Sequence, residues 1–166
     1  FGELMLLVEH NKRSPEHAVA LAYDNSEVEQ FYIPENVHII GTMNTADKSL
    51  SLIDYALRRR FSFFSLKPEF TSEKFRSFLE EQGLNNSEIT TLSRRISDLN
   101  QSIKEDSRGL GEGFAIGHSF FCEYDKSKGF HEWYKEIISF ELDPLIREYW
   151  SEDIEIYQRE LKKLAS

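Results

Sequence analysis

Cysteine is nearly absent from these 166 residues. The single Cys122 excludes an internal disulfide and fits a reducing compartment, which points to the cytoplasm. Long apolar runs are missing too. None approaches the roughly 18–20 residues that a bilayer span needs, and no signal peptide opens the chain. A membrane protein and a secreted disulfide scaffold are therefore not expected. Positive charge is in deficit, with 20 Lys+Arg against 29 Asp+Glu and a net charge of −9. Such a surface does not attract DNA, RNA or anionic lipid as a whole, and only a local basic cluster could act on them. The histidines show no metal spacing and Cys122 has no second cysteine to join it, so no metal is expected on this chain alone. Gly109-Leu-Gly-Glu-Gly is no phosphate-cradling P-loop, because no Gly-Lys-Ser/Thr follows; it reads as a flexible turn.

What is present is material for a core. Apolar residues make up 40% of the chain and aromatic residues 13%, enough for one domain or one domain with a small appendage. Leu4, Leu7 and Val8 recur at helical spacing directly after Phe1-Gly2-Glu3, as if the chain opened inside a helix; this suggests a natural protein that extends further toward its N-terminus. Asn11 to Pro15 breaks that pattern. Ala18–Tyr23 and Phe31–Ile33 around Asp24-Asn25-Ser26 predict a hairpin. The β-branched run Val37-His-Ile-Ile-Gly41 predicts a strand buried on both faces of a parallel sheet. A short helix over Ser49 to Arg60 and a strand over Phe61 to Leu66 complete an α/β alternation.

After Pro68 the pattern turns helical. Thr71 to Gln82 is predicted as a helix with Phe75, Phe78 and Leu79 inward and Gly83 as its C-cap. Further helices are predicted over Ser87–Lys104, His131–Trp150 and Asp153–Leu164, with Asp143-Pro144 restarting the third. Phe114 to Cys122 is apolar without a clear period. The expected fold class is α/β, with residues 1–68 as part of an α/β core and 69–166 as a mostly helical subdomain.

Asn44 and Asp47 lie where the predicted buried strand ends, the edge at which open α/β sheets bind ligands. An amide there suits a phosphate oxygen or an attacking water, and a carboxylate suits orientation of water. Equally, Asn44 can make a turn and Asp47 or Ser49 can cap the next helix. Arg58-Arg59-Arg60 spans more than half of a helix circumference, so one partner cannot engage all three. Cations at a helix C-terminus complement its dipole. Alternatively, one or two reach a neighbouring subunit's phosphates, which a planar guanidinium grips in a fork. His118, within Gly117-His118-Ser119-Phe120-Phe121, reads by itself as a hydrogen-bonded core residue.

Together these pieces resemble a specific family. Phe1–Met5, Phe31–Asn36, Ile39–Ser49, Asp54–Phe61, Gly117–Phe121 and Leu142–Tyr149 are similar to the McrB-type GTPases, AAA+ motor subunits of restriction systems that cut DNA carrying methylated cytosine. The resemblance implies the C-terminal portion of an AAA+ α/β core, containing the sensor-1 strand and its neighbours, followed by a helical lid. P-loop and Walker B residues would lie upstream of Phe1. Asn44 matches the sensor-1 asparagine and Asp47 the acidic residue of the same loop. Arg59 and Arg60 match candidate trans-acting or interface arginines. Gly117, His118 and Ser119 occupy the sensor-2, nucleotide-binding region. Lys48 stands where an arginine is usual, and Gly117-His118 replaces the sensor-2 arginine of other AAA+ families. The complete protein would use GTP, or ATP, with Mg²⁺. It would form a homo-oligomeric ring, drive an McrC-like nuclease subunit and meet DNA through other domains. This chain alone would bind no cofactor and hydrolyse nothing. The alternatives are an ATP-using AAA+ relative and a non-catalytic assembly module with a lid-like fold.

Overall fold

A computed structural model describes residues 2–20, 30–44, 58–106 and 109–165. The chain divides into two compact units, Phe1–Ser65 and Leu66–Ser166.

The described part of the first unit is small and only partly regular. Helix α1 (Gly2–Leu7) gives way to two single turns of 3₁₀ helix, His10–Lys12 and Pro15–His17, where the Asn11–Pro15 break was expected. Strands β1 (Val19–Ala20) and β2 (Gln30–Phe31) pair antiparallel, Val19 opposite Phe31. The predicted hairpin is thus present but short, and its turn lies outside the described residues. Leu7, Val8 and Ile33 are buried together, with Leu4, Val19 and Phe61 packed on them.

The structure departs from expectation over 37–41 and 61–66, where it has no strand. Ile40 is 92% exposed, and Phe64 and Leu66 are 88% and 95% exposed. A doubly buried strand needs a hydrogen-bonding neighbour on each side, and among the described residues the sheet consists of β1 and β2 alone. The helix predicted over Ser49–Arg60 lies outside the described residues except for its last three positions.

The second unit is helical. Helix α2 (Glu73–Gln82) starts at Ser72, whose hydroxyl accepts the Phe75 N–H at 3.2 Å. It ends as predicted at Gly83, where φ is +104°, a conformation that costs other residues roughly 1–2 kcal/mol. Helix α3 (Asn86–Lys104) opens with a reciprocal cap. The Asn85 side chain accepts the Ser87 and Glu88 N–H groups, while the Glu88 carboxylate accepts the Asn85 N–H at 2.8 Å. Ile89, Leu92, Ile96, Leu99 and Ile103 form its buried stripe, at helical spacing.

The segment after α3 holds 3₁₀ turns at Glu112–Phe114 and His118–Phe121. Helix α4 (Gly129–Ile137) then runs through a π turn (Ile138–Leu142) into α5 (Asp143–Tyr149). The restart predicted at Asp143-Pro144 is present as a change of helix type: α5 begins at Asp143 with Pro144 in its first turn, but Asp143 is no N-cap, since Leu142 and Asp143 keep helical angles. Within an unbroken α-helix Pro144 would lack its N–H and press on the carbonyl four residues back. The π turn widens the chain just ahead of it, with the Asp143 N–H donating to the Ile138 carbonyl five residues earlier.

Helix α6 (Ile154–Ala165) completes the unit, capped by the Asp153 carboxylate on the Ile156 N–H. Phe121 is fully buried at the centre of an aromatic cluster, edge-on to Phe70 and Trp133 and stacked with Tyr134. Among the described residues, no helix is long and apolar enough to cross a membrane.

Candidate functional site

Two groups of residues carry the candidate chemistry, one in each unit. In the first, Arg13 fixes the run that leads to Asn44. Its guanidinium donates to the Val8 carbonyl at 3.2 Å and to the Val37 carbonyl at 2.7 Å, tying the end of α1 to the start of that run. Asn44 ends the described stretch and is exposed. Asp47 lies outside the described residues, as does Lys48.

The arginines separate by environment. Arg58 and Arg59 are exposed, whereas Arg60 is partly buried and pairs with the Glu9 carboxylate. The Arg60 side chain is only 15% exposed. A guanidinium held this way reaches outward only by giving up a partly desolvated ion pair, and removing one partner of such a pair is costly. Glu9 escaped the sequence reading, because nothing in the spacing ties it to a residue fifty positions on.

In the second unit, Gly117, His118 and Ser119 form the end of a short strap. Asn100, on α3, holds it from one side. Its amide donates to the Ile116 carbonyl at 3.0 Å and accepts the Ile116 N–H at 2.6 Å, satisfying both backbone groups as a neighbouring strand would. His118 holds the other side. Its Nδ1 accepts the Glu69 N–H at 3.2 Å, which places the proton of the neutral ring on Nε2. The ring packs edge-on against Phe75, with centroids 5.4 Å apart, and Phe70 lies edge-on at 6.4 Å. Cys122 donates to the His118 carbonyl at 3.5 Å. Burial, and then the charge of Glu123, pushes the Cys122 thiol up, so it remains a protonated donor. Ser119 is exposed. His118 therefore sits in a hydrogen-bonded aromatic setting, as the residues read alone suggested.

One polar arrangement in this unit was missed. Glu160 is 1% exposed, on the buried stripe of α6 with Tyr157 and Leu164. Its carboxylate accepts the Ser102 hydroxyl of α3 at 3.1 Å, the Lys163 ammonium at 2.8 and 3.0 Å, and the Arg159 Nε–H at 2.9 Å. Burial alone would push its pKa up, but donation from Lys163 and Arg159, the Lys163 charge and the Ser102 hydroxyl together hold it below the ordinary value. The signal was a carboxylate at an apolar position of the helical period. Among the described residues, no group of three His, Cys, Asp or Glu side chains gathers to hold a metal ion.

Comparison with known proteins agrees with the lid reading. The family profile described as "McrB, alpha-helical lid domain" matches residues 91–158. The "Type IV methyl-directed restriction enzyme EcoKMcrB subunit" of Escherichia coli (strain K12) is 44% identical over 166 residues, 99% of this chain. The chain spans 36% of the length of that relative.

Proposed function

We propose, for a chain that is McrB-type in sequence and carries that family's helical lid over residues 91–158, that it supplies part of the nucleotide-hydrolysing machinery of a restriction-system motor. In the complete protein that machinery is an AAA+ GTPase, assembled as a homo-oligomeric ring, partnered by an McrC-like nuclease subunit and directed to DNA by other domains. ATP in place of GTP is the competing choice of nucleotide. The exposed segments 37–43 and 62–66 then pair with strands of the α/β core contributed by the rest of that protein. By itself the 166-residue chain hydrolyses nothing.

The residues at hand divide the labour of phosphoryl transfer unevenly. A Mg²⁺-nucleotide, when bound, would supply the phosphoryl group and a cation that offsets its charge. The described residues fit the phosphate side of that chemistry through an exposed amide and exposed guanidinium groups, and they fit the metal poorly, since no acidic cluster forms among them. Asn44 orients the attacking water through its amide, and Asp47 assists from the same loop. Arg59 meets charge that develops on a neighbouring subunit's phosphate, where its fork binds two oxygens. Arg60 is the anchor of the pair, holding the arginine run to Glu9 so that Arg59 is presented outward. The lid, with Gly117, His118 and Ser119 in its strap, closes over the nucleotide.

The observation that carries this reading is the contrast between exposed Arg59 and engaged Arg60, in a chain 44% identical over 166 residues to a restriction-enzyme subunit. In the complete protein, Arg59→Ala should slow GTP hydrolysis by about 10³–10⁵-fold, the usual worth of an arginine supplied in trans, with little change in GTP affinity. Mixing Arg59→Ala subunits with subunits carrying a disabled P-loop should restore hydrolysis at mixed interfaces. Co-assembly without recovery refutes action across the interface.

A further inference from the structure

The segment that opens the second unit, residues 66–70, is held to the strap at several points, and His118 makes the most specific of these contacts. Lys67 pairs with Glu112 at 3.6 Å, on the loop ahead of the strap. That surface contact contributes little, because both side chains are more than half exposed. Phe70 is buried against Phe75 and Phe121, a non-directional contact that fixes no backbone atom. Of the contacts with the strap among the described residues, the Glu69 N–H to His118 Nδ1 bond is the one that grips the main chain of the opening segment, three residues before the Ser72 cap of α2. Two residues upstream of His118, the Asn100 amide grips both backbone groups of Ile116. Residues 116–118 are thus a bridge with one end on the C-terminal part of α3 and the other on the chain leading into α2.

We infer that His118 is a positioning residue: its Nδ1 fixes the backbone at Glu69, so that the opening segment of the lid moves together with α3 through the 116–118 strap. It acts on hydrolysis through that coupling and not by touching the nucleotide. This rests on the hydrolytic function proposed above for its catalytic consequence, but the clamp itself is a property of the second unit alone. The chemistry favours this role over a ligand contact. Nδ1 is taken up by a main-chain N–H and the ring is flanked by Phe75 and Phe70, so the clamp and the aromatic packing set the ring's orientation, and only the Nε2–H remains for any further partner.

Three variants separate the clamp from packing. His118→Phe keeps an aromatic ring against Phe70 and Phe75 but removes the acceptor. His118→Asn restores an acceptor near the Nδ1 position without the ring. His118→Ala removes both. Amide hydrogen exchange in the complete protein reads the Glu69 N–H directly. The Phe and Ala variants should exchange there about 2- to 12-fold faster, the range corresponding to the net worth of one hydrogen bond, while Asn stays close to the parent. In GTP hydrolysis, kcat should fall in His118→Phe and recover in His118→Asn, with KM and GTP affinity unchanged throughout. An unchanged Glu69 exchange rate in His118→Phe overturns the clamp. A tenfold loss of GTP affinity in His118→Phe overturns the indirect role and makes His118 a nucleotide contact. If the exchange pattern holds while the unmodified complete protein hydrolyses no nucleotide, the clamp stands and the proposed function falls.

Discussion

Replacing Glu160 by Gln tests whether a fully buried charge holds the C-terminal helix to the lid. The side chain is enclosed, yet every donor around it is placed to favour the carboxylate: Ser102 from α3, and Lys163 and Arg159 from α6 itself. Glu160→Gln keeps the shape, removes the charge and turns one acceptor oxygen into a donor that faces Lys163 or Arg159. Those two cations are half exposed and can return to water, so the loss is smaller than for stranding a buried charge. Hydrogen bonds to charged groups are worth about 1.5–3 kcal/mol each, and resolvation of two cations recovers part of that, leaving an expected loss of about 1–3 kcal/mol at pH 7. At about 2–4 °C per kcal/mol, the midpoint should fall by roughly 2–12 °C. The assay is built into the sequence. Both tryptophans, Trp133 and Trp150, are buried in the second unit, so their fluorescence follows that unit selectively during unfolding. The pH dependence gives a second reading. The folded pKa of Glu160 lies below its unfolded value, so its contribution is fully present above about pH 4.3 and is lost as pH falls through the lower folded pKa. Glu160→Gln should flatten the acid limb of the stability profile in that window. Equal or greater stability at pH 7, with an unchanged acid limb, would show that the ion cluster does nothing a neutral isostere cannot.

Two further substitutions probe the devices that set the local geometry of the second unit. Asn85→Ala removes the acceptor for the Ser87 and Glu88 N–H groups and should destabilise the second unit by about 0.5–2 kcal/mol, measured by urea unfolding with tryptophan fluorescence; no shift in midpoint would mean that water caps the helix equally well. Asn100→Ala strands the Ile116 N–H and C=O in a partly buried setting and should cost about 1–3 kcal/mol, with faster exchange at the Ile116 amide than at amides of α3; uniform exchange would show that the strap does not depend on Asn100.

The helical unit was readable because its information is local. The α3 stripe Ile89–Ile103 has the helical period, and Gly83 ends α2 in the left-handed conformation that favours glycine. Each of these requires only neighbours a few residues away. The π turn was not readable in that way. Asp143-Pro144 carries the same letters whether a helix restarts there or widens, and the choice falls to packing, since Ile138, Leu142 and Ile146 are all buried along one continuous rod. The run Val37–Gly41 fails for the opposite reason. Its β-branched composition states a preference for a doubly buried strand, but a strand is a property of pairs, and among the described residues no second strand lies beside it.

The same distinction between local and paired information governs the candidate site. Arg58, Arg59 and Arg60 are indistinguishable as letters, and each is equally suited to a helix end or to a phosphate. Glu9 breaks the tie by engaging Arg60 from a distance in sequence that no periodicity spans. His118 was legible as hydrogen-bonded but not as half-buried at the edge of the core, nor in its partner, because a main-chain N–H such as that of Glu69 leaves no mark in the sequence. The division of labour within each segment, which arginine faces outward and what the histidine grips, arises only when residues far apart in the chain are brought into contact.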